Sequence, residues 1–172
     1  MLTSLAAITG WSFGGVLAHE IAQRLEQCGY DTLGVVLIDS PSPLDHEPLP
    51  SAVVDHILNA EILSPSTKTT LAAQFKCHAQ FLADYRINGS PPPPHRRYIM
   101  LHSEQPFDTW GVCGQRYLWL ESQEERLASL RKWETLLGRP LTTYNIPGNH
   151  FQPFTRDNVS SYSPTVFLGL KC

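Results

Sequence analysis

The sequence has few cysteines and few charged residues, and each shortage excludes a class of protein. Its four cysteines are far apart in 172 residues, with no C-x-x-C pair and no spacing typical of a zinc site. We therefore expect free thiols in a reducing, cytoplasmic location and no bound metal. Charged residues make up 17% of the chain, against about 25% in average domains, and the net charge is −3. This balance argues against a nucleic-acid binder, which needs a basic surface.

The N-terminal stretch lacks charge as well, but it is not predicted to enter a membrane. No charged residue precedes Glu20, yet the stretch contains four hydroxyl residues and three glycines, which suit a lipid-facing helix poorly. It also lacks the basic start of a signal peptide. With 42% hydrophobic and 10% aromatic residues, the chain is expected to fold as one globular domain.

The first forty residues predict a strand, a helix and a second strand. Leu5–Ile8 and Leu33–Ile38 are apolar runs of the kind found in buried parallel strands. Between them, residues 13–29 repeat apolar side chains at three- and four-residue steps before a glycine stop. This order defines a βαβ unit, so the predicted fold class is α/β with a right-handed crossover.

The rest of the chain predicts a helical insertion and a return to the sheet. Four prolines between residues 41 and 50 exclude regular structure there, and Pro91–Pro94 predicts a stiff connector. We therefore predict one domain, residues 1–172, with an insertion over about 45–95. The other predicted elements are helices at 51–63 and 67–87, a strand at Arg97–His102, a helix at 119–137 and a strand at Leu141–Ile146.

The segment Gly10–Gly14 (GWSFG) fits the pattern G-x-S-x-G in a meaningful context. A predicted strand ends at it and a predicted helix begins with it, which is the setting of a nucleophile elbow. A sharp turn there would expose the Ser12 hydroxyl at the edge of the sheet, close to the positive end of the helix dipole. We interpret Ser12 as a nucleophile; the alternative is a glycine-rich turn with Ser12 as a plain helix cap.

A nucleophilic serine needs an acid and a base, and the chain offers several. Asp39 follows its strand as Ser12 follows its own, and neighbouring parallel strands lie only about 4.8 Å apart. Asp39 is therefore the favoured acid, although it could merely cap a turn. Glu104 and Asp108, in the loop after the next strand, are the alternatives.

Among the seven histidines, His150 is the favoured base because its turn directly follows the last predicted strand. The resulting chain order is Ser, Asp, His. His102 also ends a strand but lacks turn residues around it. His19 is expected to be structural. The remaining histidines are predicted to lie on loop or helix surfaces: His46, His56, His78 and His95.

Together these segments resemble the thioesterase domains of polyketide and nonribosomal peptide synthases, a branch of the α/β-hydrolases. The similarity lies in residues 10–15 (GWSFGG), 37–41 (LIDSP) and 148–151 (GNHF), and it is greatest to the fungal domains. It implies a mostly parallel sheet flanked by helices, with residues 45–95 forming a helical lid.

The resemblance also implies a reaction. Ser12 would attack a thioester carried on the phosphopantetheine of an acyl or peptidyl carrier protein, with His150 as base and Asp39 as its partner. The backbone N–H of Phe13 would stabilise the oxyanion. Release would follow by hydrolysis or cyclisation, without a further cofactor. The residues expected to bind the acyl chain are Trp11, Phe75, Phe81 and Tyr85.

The chain departs from the family pattern in one respect. In these domains several strands precede the elbow, and a loop among them supplies a second oxyanion donor, whereas this elbow begins at residue 10. The comparison therefore implies an N-terminally truncated domain. A general carboxylester hydrolase and a catalytically impaired fragment are the alternative functions.

Overall fold

The computed structural model describes residues 6–60, 63–86 and 91–159. These residues form a parallel sheet with strand order β1-β2-β3-β4. The strands are β1 (Ala6–Trp11), β2 (Thr32–Ile38), β3 (Arg97–Ser103) and β4 (Thr142–Ile146). The helices are α1 (Phe13–Gln27), α2 (Ser51–Ala60), α3 (Pro65–Ala83), α4 (Thr109–Cys113), α5 (Leu118–Glu121) and α6 (Gln123–Leu137). The α/β fold class predicted from the sequence is confirmed.

The first strand continues further than the sequence suggests. Prediction placed it at Leu5–Ile8, of which Leu5 lies outside the described residues, but β1 runs on to Trp11. The extension occurs because Thr9, Gly10 and Trp11 stay in register with the end of β2. Backbone pairing thus continues up to the residue before Ser12, and the chain turns only there.

Helix α1 buries a different face from the one that its apolar pattern suggests. Val16 and Ala22 are fully buried, whereas Leu17 and Ile21 remain 39% and 48% exposed. His19 lies on the buried face, where Nδ1 is 2.8 Å from the Tyr98 hydroxyl. Burial, together with the charge of a nearby arginine, lowers the pKa of His19 to about 4. His19 is therefore a neutral core residue, as expected.

Two helices connect β2 to β3, in the region where the sequence predicts them. The observed α2 ends at Ala60, and residues 61–62 of the prediction lie outside the described residues. Helix α3 starts two residues earlier than predicted because the Ser64 hydroxyl accepts a hydrogen bond from the Thr67 N–H and Pro65 occupies the first turn.

The helix predicted at 119–137 is divided in the structure. Ser122 has extended backbone angles and its hydroxyl accepts from the Glu125 N–H, so a new helix, α6, begins after it. This Ser-x-x-Glu arrangement is a capping-box sequence. Helix α6 ends at Gly138, which adopts a left-handed conformation with φ of 66°. Helix α4 has no counterpart in the sequence prediction.

The sheet buries apolar side chains on both of its faces. One cluster joins strand residues such as Val35, Leu37 and Met100 to α1 and to Trp133 of α6. The other contains Val36, Ile38, Ile99, Leu101 and Ile146. Because side chains alternate along a strand, β2 contributes to both clusters, as its continuous apolar sequence indicates.

Two predictions from composition can be compared with the described residues. Cys28, Cys77 and Cys113 are free thiols, as expected, while Cys172 lies outside the described ranges. Within those same ranges, no helix combines the length and the apolar character needed to cross a bilayer.

Candidate active site

Ser12 occupies a strained turn between β1 and α1. Its φ of 54° is in the left-handed region, which costs a residue with a side chain about 1–3 kcal/mol. The end of β2 holds this conformation: the Ser12 N–H donates to the Ile38 carbonyl at 2.9 Å. The Ser40 hydroxyl donates to the Ser12 carbonyl at 2.5 Å. The turn is thus fixed at both of its peptide groups, by the last residue of β2 and by Ser40 just after it.

Two glycines make this turn possible, and only one of them belongs to the five-residue motif. A Cβ on Gly10 would lie 1.9 Å from the Gly14 carbonyl oxygen, and one on Gly15 would lie 2.2 Å from the Ser40 Oγ. A Cβ on Gly14 would meet nothing within 4 Å. The close approaches therefore require glycine at positions 10 and 15, whereas residue 14 contributes only its backbone.

Asp39 directly follows β2 and is 1% exposed. Its N–H donates to the Leu101 carbonyl at 2.7 Å, and its Oδ1 accepts from the Ser103 N–H at 3.1 Å. Burial alone would raise the pKa of this carboxyl. The hydrogen bond and charge of His150, with the charge of Arg126, outweigh burial and lower the pKa of Asp39 to about 2. The carboxylate is therefore ionised over the whole neutral range.

His150 links Asp39 to Ser12. Its Nδ1 is 2.9 Å from Asp39 Oδ2, and its Nε2 is 3.1 Å from Ser12 Oγ. Nδ1 faces a carboxylate, which can only accept, so the neutral tautomer with its proton on Nδ1 fits both contacts and leaves Nε2 to accept the serine proton. The turn after β4 presents the ring, with Gly148 at φ of 82°. The structure thus joins the three residues that the sequence favours.

Two tryptophans fix the orientation of the His150 ring. Trp11 stacks on it with a centroid distance of 5.2 Å, and the Trp11 Nε1–H donates to the His150 carbonyl at 2.9 Å. Trp119 packs edge-on at 5.0 Å. Trp11 was predicted to bind substrate; it borders the cavity and also positions the histidine. Sequence reasoning missed Trp119, for which no motif gave a signal.

Arg126 is a second residue that the sequence analysis missed. It is 5% exposed and donates to the carbonyls of Ser103, Gln105, Trp119 and Leu120 at 2.7–3.2 Å. Its guanidinium also lies 3.9 Å from Asp39 Oδ1. The signal was present, because Arg126 shares the helical phase of the apolar residues Leu130, Trp133 and Leu137.

The alternative acids and base lie outside this hydrogen-bonded chain. Asp108 caps α4, with Oδ1 accepting from the Gly111 N–H at 2.8 Å. Glu104 is exposed. His102 lies within β3, and its Nε2 has no hydrogen-bond partner among the residues that the structure describes. Asp39 and His150 are therefore the carboxylate and the imidazole that the geometry joins to Ser12.

A cavity of about 350 Å³ opens beside Ser12 and His150. Helix α3 contributes one face to its wall, and Phe75 borders it as the sequence analysis expects. Phe81 and Tyr85 do not border it. Phe81 packs edge-on against the Phe13 ring with a centroid distance of 5.6 Å, and the Tyr85 hydroxyl donates to Glu20 at 2.8 Å. Phe81 is thus on α3 but outside the cavity wall, and Tyr85 lies beyond the end of α3 at Ala83.

Two histidines predicted to lie on the surface line this cavity instead. His46, in the loop after β2, and His78, on α3, both border it. The His78 ring stacks on Phe13 with a centroid distance of 4.1 Å. The prediction was wrong because the packing of α3 over the elbow, which the sequence does not reveal, turns His78 inward.

Phe13 is the first residue of α1 and directly follows Ser12. Its backbone N–H therefore belongs to the first helical turn, where N–H groups have no acceptor within the helix. Such a group next to the nucleophile is available for a developing oxyanion.

A parallel sheet, a strained serine at a strand-to-helix turn, and an acid and histidine at the same sheet edge define an α/β-hydrolase fold. The model of the thioesterase domain family matches residues 6–163, so the chain belongs to the thioesterase domain family. Members of this family are hydrolases that act on thioester bonds. The resemblance stated from the sequence motifs is confirmed.

The similar curated proteins include fungal synthases. An orsellinic acid synthase of Beauveria bassiana (strain ARSEF 2860) is 29% identical over 189 residues, covering 91% of this chain. The orsellinic acid synthase ArmB of Armillaria ostoyae is 30% identical over 173 residues, covering 93%. The chain spans only 8% and 7% of the length of these two relatives.

Solved structures of synthase thioesterases share the fold. The NocB thioesterase domain, in covalent complex with a fluorophosphonate nocardicin G analog, has a TM-score of 0.64 at 19% identity and covers 95% of this chain and 66% of its own. The thioesterase domain SrfTE, which cyclises the lipopeptide antibiotic surfactin, has a TM-score of 0.67 at 17% identity. The match covers 98% of this chain and 69% of SrfTE.

Proposed function

We propose that this chain is the chain-releasing thioesterase domain of a polyketide- or nonribosomal-peptide-type synthase and works through a Ser12 acyl-enzyme. The observation that supports this most directly is the contact series Ser12–His150–Asp39, at 3.1 and 2.9 Å, beside a cavity. A serine hydroxyl is a weak nucleophile until a base removes its proton, and that base needs an oriented, charge-stabilising partner.

In the proposed reaction the Ser12 oxygen attacks the thioester carbonyl while His150 Nε2 takes the serine proton. Asp39 keeps the imidazole in the required tautomer and stabilises its cation, since the carboxylate is ionised well below neutral pH. The tetrahedral oxyanion accepts from the Phe13 N–H. Collapse of this intermediate breaks the C–S bond and expels the thiolate, which takes the proton from His150 and leaves as a thiol. The acyl group is left on Ser12.

The second half of the reaction releases the acyl chain. Water, or a nucleophile within the acyl chain, attacks the acyl-enzyme while His150 takes its proton. The ester bond to Ser12 then breaks, the serine oxygen takes the proton back from His150, and an acid or a ring is released. We propose that the thiol is the phosphopantetheine of an acyl or peptidyl carrier protein, because the relatives are large synthases of which this chain matches a small part. The mechanism needs no further cofactor, and we place it in the cytoplasm.

We also propose that residues 45–95 act as a lid over the acyl group. Helices α2 and α3 lie in this segment, and residues of both, such as Ile57 and Phe75, border the cavity. Apolar walls close to the nucleophile would exclude water from the acyl-enzyme and favour attack from within the substrate.

The proposal is tested by trapping the acyl-enzyme. The chain is incubated with a fluorophosphonate and with acyl N-acetylcysteamine thioesters, and the modified residue is located by mass spectrometry. Ser12→Ala should abolish both labelling and thioester cleavage, while Ser66→Ala, an exposed serine on α3, should change neither. Labelling elsewhere, or cleavage that survives Ser12→Ala, would refute the mechanism. A preference for oxygen esters would favour a general carboxylester hydrolase.

A further inference from the structure

The wall of the cavity beside Ser12 is mostly apolar, but besides His150 it contains two further imidazoles and the Gln74 side chain. His46 enters from the loop after β2 and His78 from α3. Neither of these two histidines is needed for the hydrogen-bonded series Ser12–His150–Asp39. Their place in a mostly apolar wall therefore needs a separate explanation.

Neither imidazole has a hydrogen-bond partner within the described ranges of the chain. By contrast, the Tyr117 hydroxyl, whose residue also borders the cavity, is paired and donates to the Glu47 carbonyl at 2.8 Å. Both side chains are only partly buried, so their ring nitrogens stay accessible from the cavity. An unpaired, accessible imidazole nitrogen can form a hydrogen bond with a polar group of a ligand in the cavity.

Both rings are neutral near pH 7. Burial lowers the pKa of His46 to about 4, with a further contribution from the charge of Lys132, and burial also lowers the pKa of His78. A neutral imidazole has one N–H donor and one nitrogen acceptor. Each ring can therefore pair with a hydroxyl or donate to a ketone, and neither offers the charge that would select an ionised group.

Contacts are known for the backbone next to His46 and for the ring of His78. The residue before His46, Asp45, has a φ of 50°, and the Lys132 ammonium donates to its carbonyl at 3.4 Å. The His78 ring lies on Phe13, whose N–H is the proposed oxyanion donor. His78 is thus next to the elbow, where the first part of an acyl chain must lie.

We propose that His46 and His78 form a binding subsite for oxygen substituents on the acyl chain, so that acyl groups bearing ketone or hydroxyl oxygens are selected over plain hydrocarbon ones. This inference rests on the proposed function of Ser12. A hydrocarbon acyl group would remove water from the imidazole nitrogens and give nothing in return. A site built to pair with substrate oxygens rejects analogues that lack them for this reason.

The test compares matched thioesters on the whole chain. Two pairs of N-acetylcysteamine thioesters are used: octanoyl with 3-oxooctanoyl, and benzoyl with 2,4-dihydroxybenzoyl. The wild-type chain should favour the oxygenated member of at least one pair by about tenfold in kcat/KM. His46→Phe or His78→Phe should reduce that preference about tenfold by slowing the oxygenated substrate alone. The glutamine variants, which keep a donor and an acceptor, should retain most of it.

Controls separate this inference from the proposed function. His56→Phe makes the same change on α2 at a histidine that does not border the cavity, and should leave the preference unchanged. Fluorophosphonate labelling of Ser12 checks that each variant folds. Equal rates within both pairs, or equal losses for both members in the phenylalanine variants, would overturn the subsite while leaving Ser12 catalysis intact. Loss of Ser12 dependence would instead overturn the proposed function.

Discussion

Replacing Gly14 and Gly15 separately by alanine tests whether the elbow depends on matching the G-x-S-x-G pattern or on close packing at a particular glycine. Gly14 completes the pattern G-x-S-x-G, whereas Gly15 lies outside it. In the structure a Cβ on Gly14 has open space, but one on Gly15 would lie 2.2 Å from Ser40 Oγ and 2.6 Å from Ser40 Cβ. We therefore expect Gly15→Ala to be harmful and Gly14→Ala to be tolerated.

The size of the difference follows from two opposing effects. Alanine in place of glycine in a helix gains up to about 1 kcal/mol at either position. At position 15 the overlap adds a cost of about 3 kcal/mol, at the upper end of the range for overpacking. Ser40 cannot rotate away freely, because its Cβ is fixed to the backbone and its hydroxyl binds the Ser12 carbonyl. The net expectation is about 2 kcal/mol of lost stability for Gly15→Ala.

Thermal unfolding and Ser12 labelling measure this difference. For a chain of this size about 2 kcal/mol lowers Tm by roughly 4–8 °C, while Gly14→Ala should raise it by up to about 4 °C. Displacement of Ser40 should also slow fluorophosphonate labelling of Ser12 well below Tm. Adding Ser40→Gly to Gly15→Ala should recover part of the lost Tm, because it removes the Ser40 atoms that the new Cβ overlaps. A loss of Tm in Gly14→Ala equal to that in Gly15→Ala would refute the reasoning.

Three other predictions concern the acid, its arginine and the cavity wall. Because folding lowers the pKa of Asp39 from 3.8 to about 2, its ionised form contributes about 2 kcal/mol to the free energy of unfolding above pH 4, and this contribution is lost as the pH falls through 2. Urea unfolding at pH 5, 4, 3 and 2 should show this loss in the wild-type chain but not in Asp39→Asn. The same pH dependence of the free energy of unfolding in both chains would contradict this prediction. Arg126→Met should raise the pKa of Asp39 and shift acid unfolding to higher pH, whereas Arg126→Lys keeps the charge and should shift it less. Identical acid-unfolding midpoints for the two variants would count against an electrostatic role. Phe75→Ala should raise KM for an octanoyl thioester about tenfold, because an apolar contact in the cavity is lost. Phe81→Ala, which changes a residue outside the cavity, should change KM less than twofold. A similar rise of KM in both variants would show that the cavity boundary is misplaced.

The three site residues at the carboxyl edge of the sheet could be predicted because each follows a strand that the sequence pattern reveals. Ser12 and Asp39 each follow an apolar run, and parallel strands end at a common edge, so their proximity follows from the βαβ order alone. His150 follows the last strand in a glycine-containing turn. These three positions needed no knowledge of side-chain packing.

The cavity wall was harder to predict because helix phase depends on packing. Leu71, Phe75, His78 and Leu82 recur at helical spacing and all border the cavity, but Phe81 and Tyr85 lie outside it. Sequence gives the spacing of side chains along α3, not the direction in which α3 faces. That direction is decided by contacts with the elbow, such as the stacking of His78 on Phe13.

The sequence by itself determined the four strands, the helices α1, α2 and α3, and the strand-to-helix turn at Ser12, because hydrophobic periodicity and turn residues act over a few positions. It also indicated the three residues Ser12, Asp39 and His150. Only the tertiary structure decided which groups support them. Gly15 is needed because Ser40 lies against it, and Arg126 lies 3.9 Å from Asp39 because α6 packs across the sheet. Contacts between residues far apart in the chain depend on how the elements pack, and no local pattern records them.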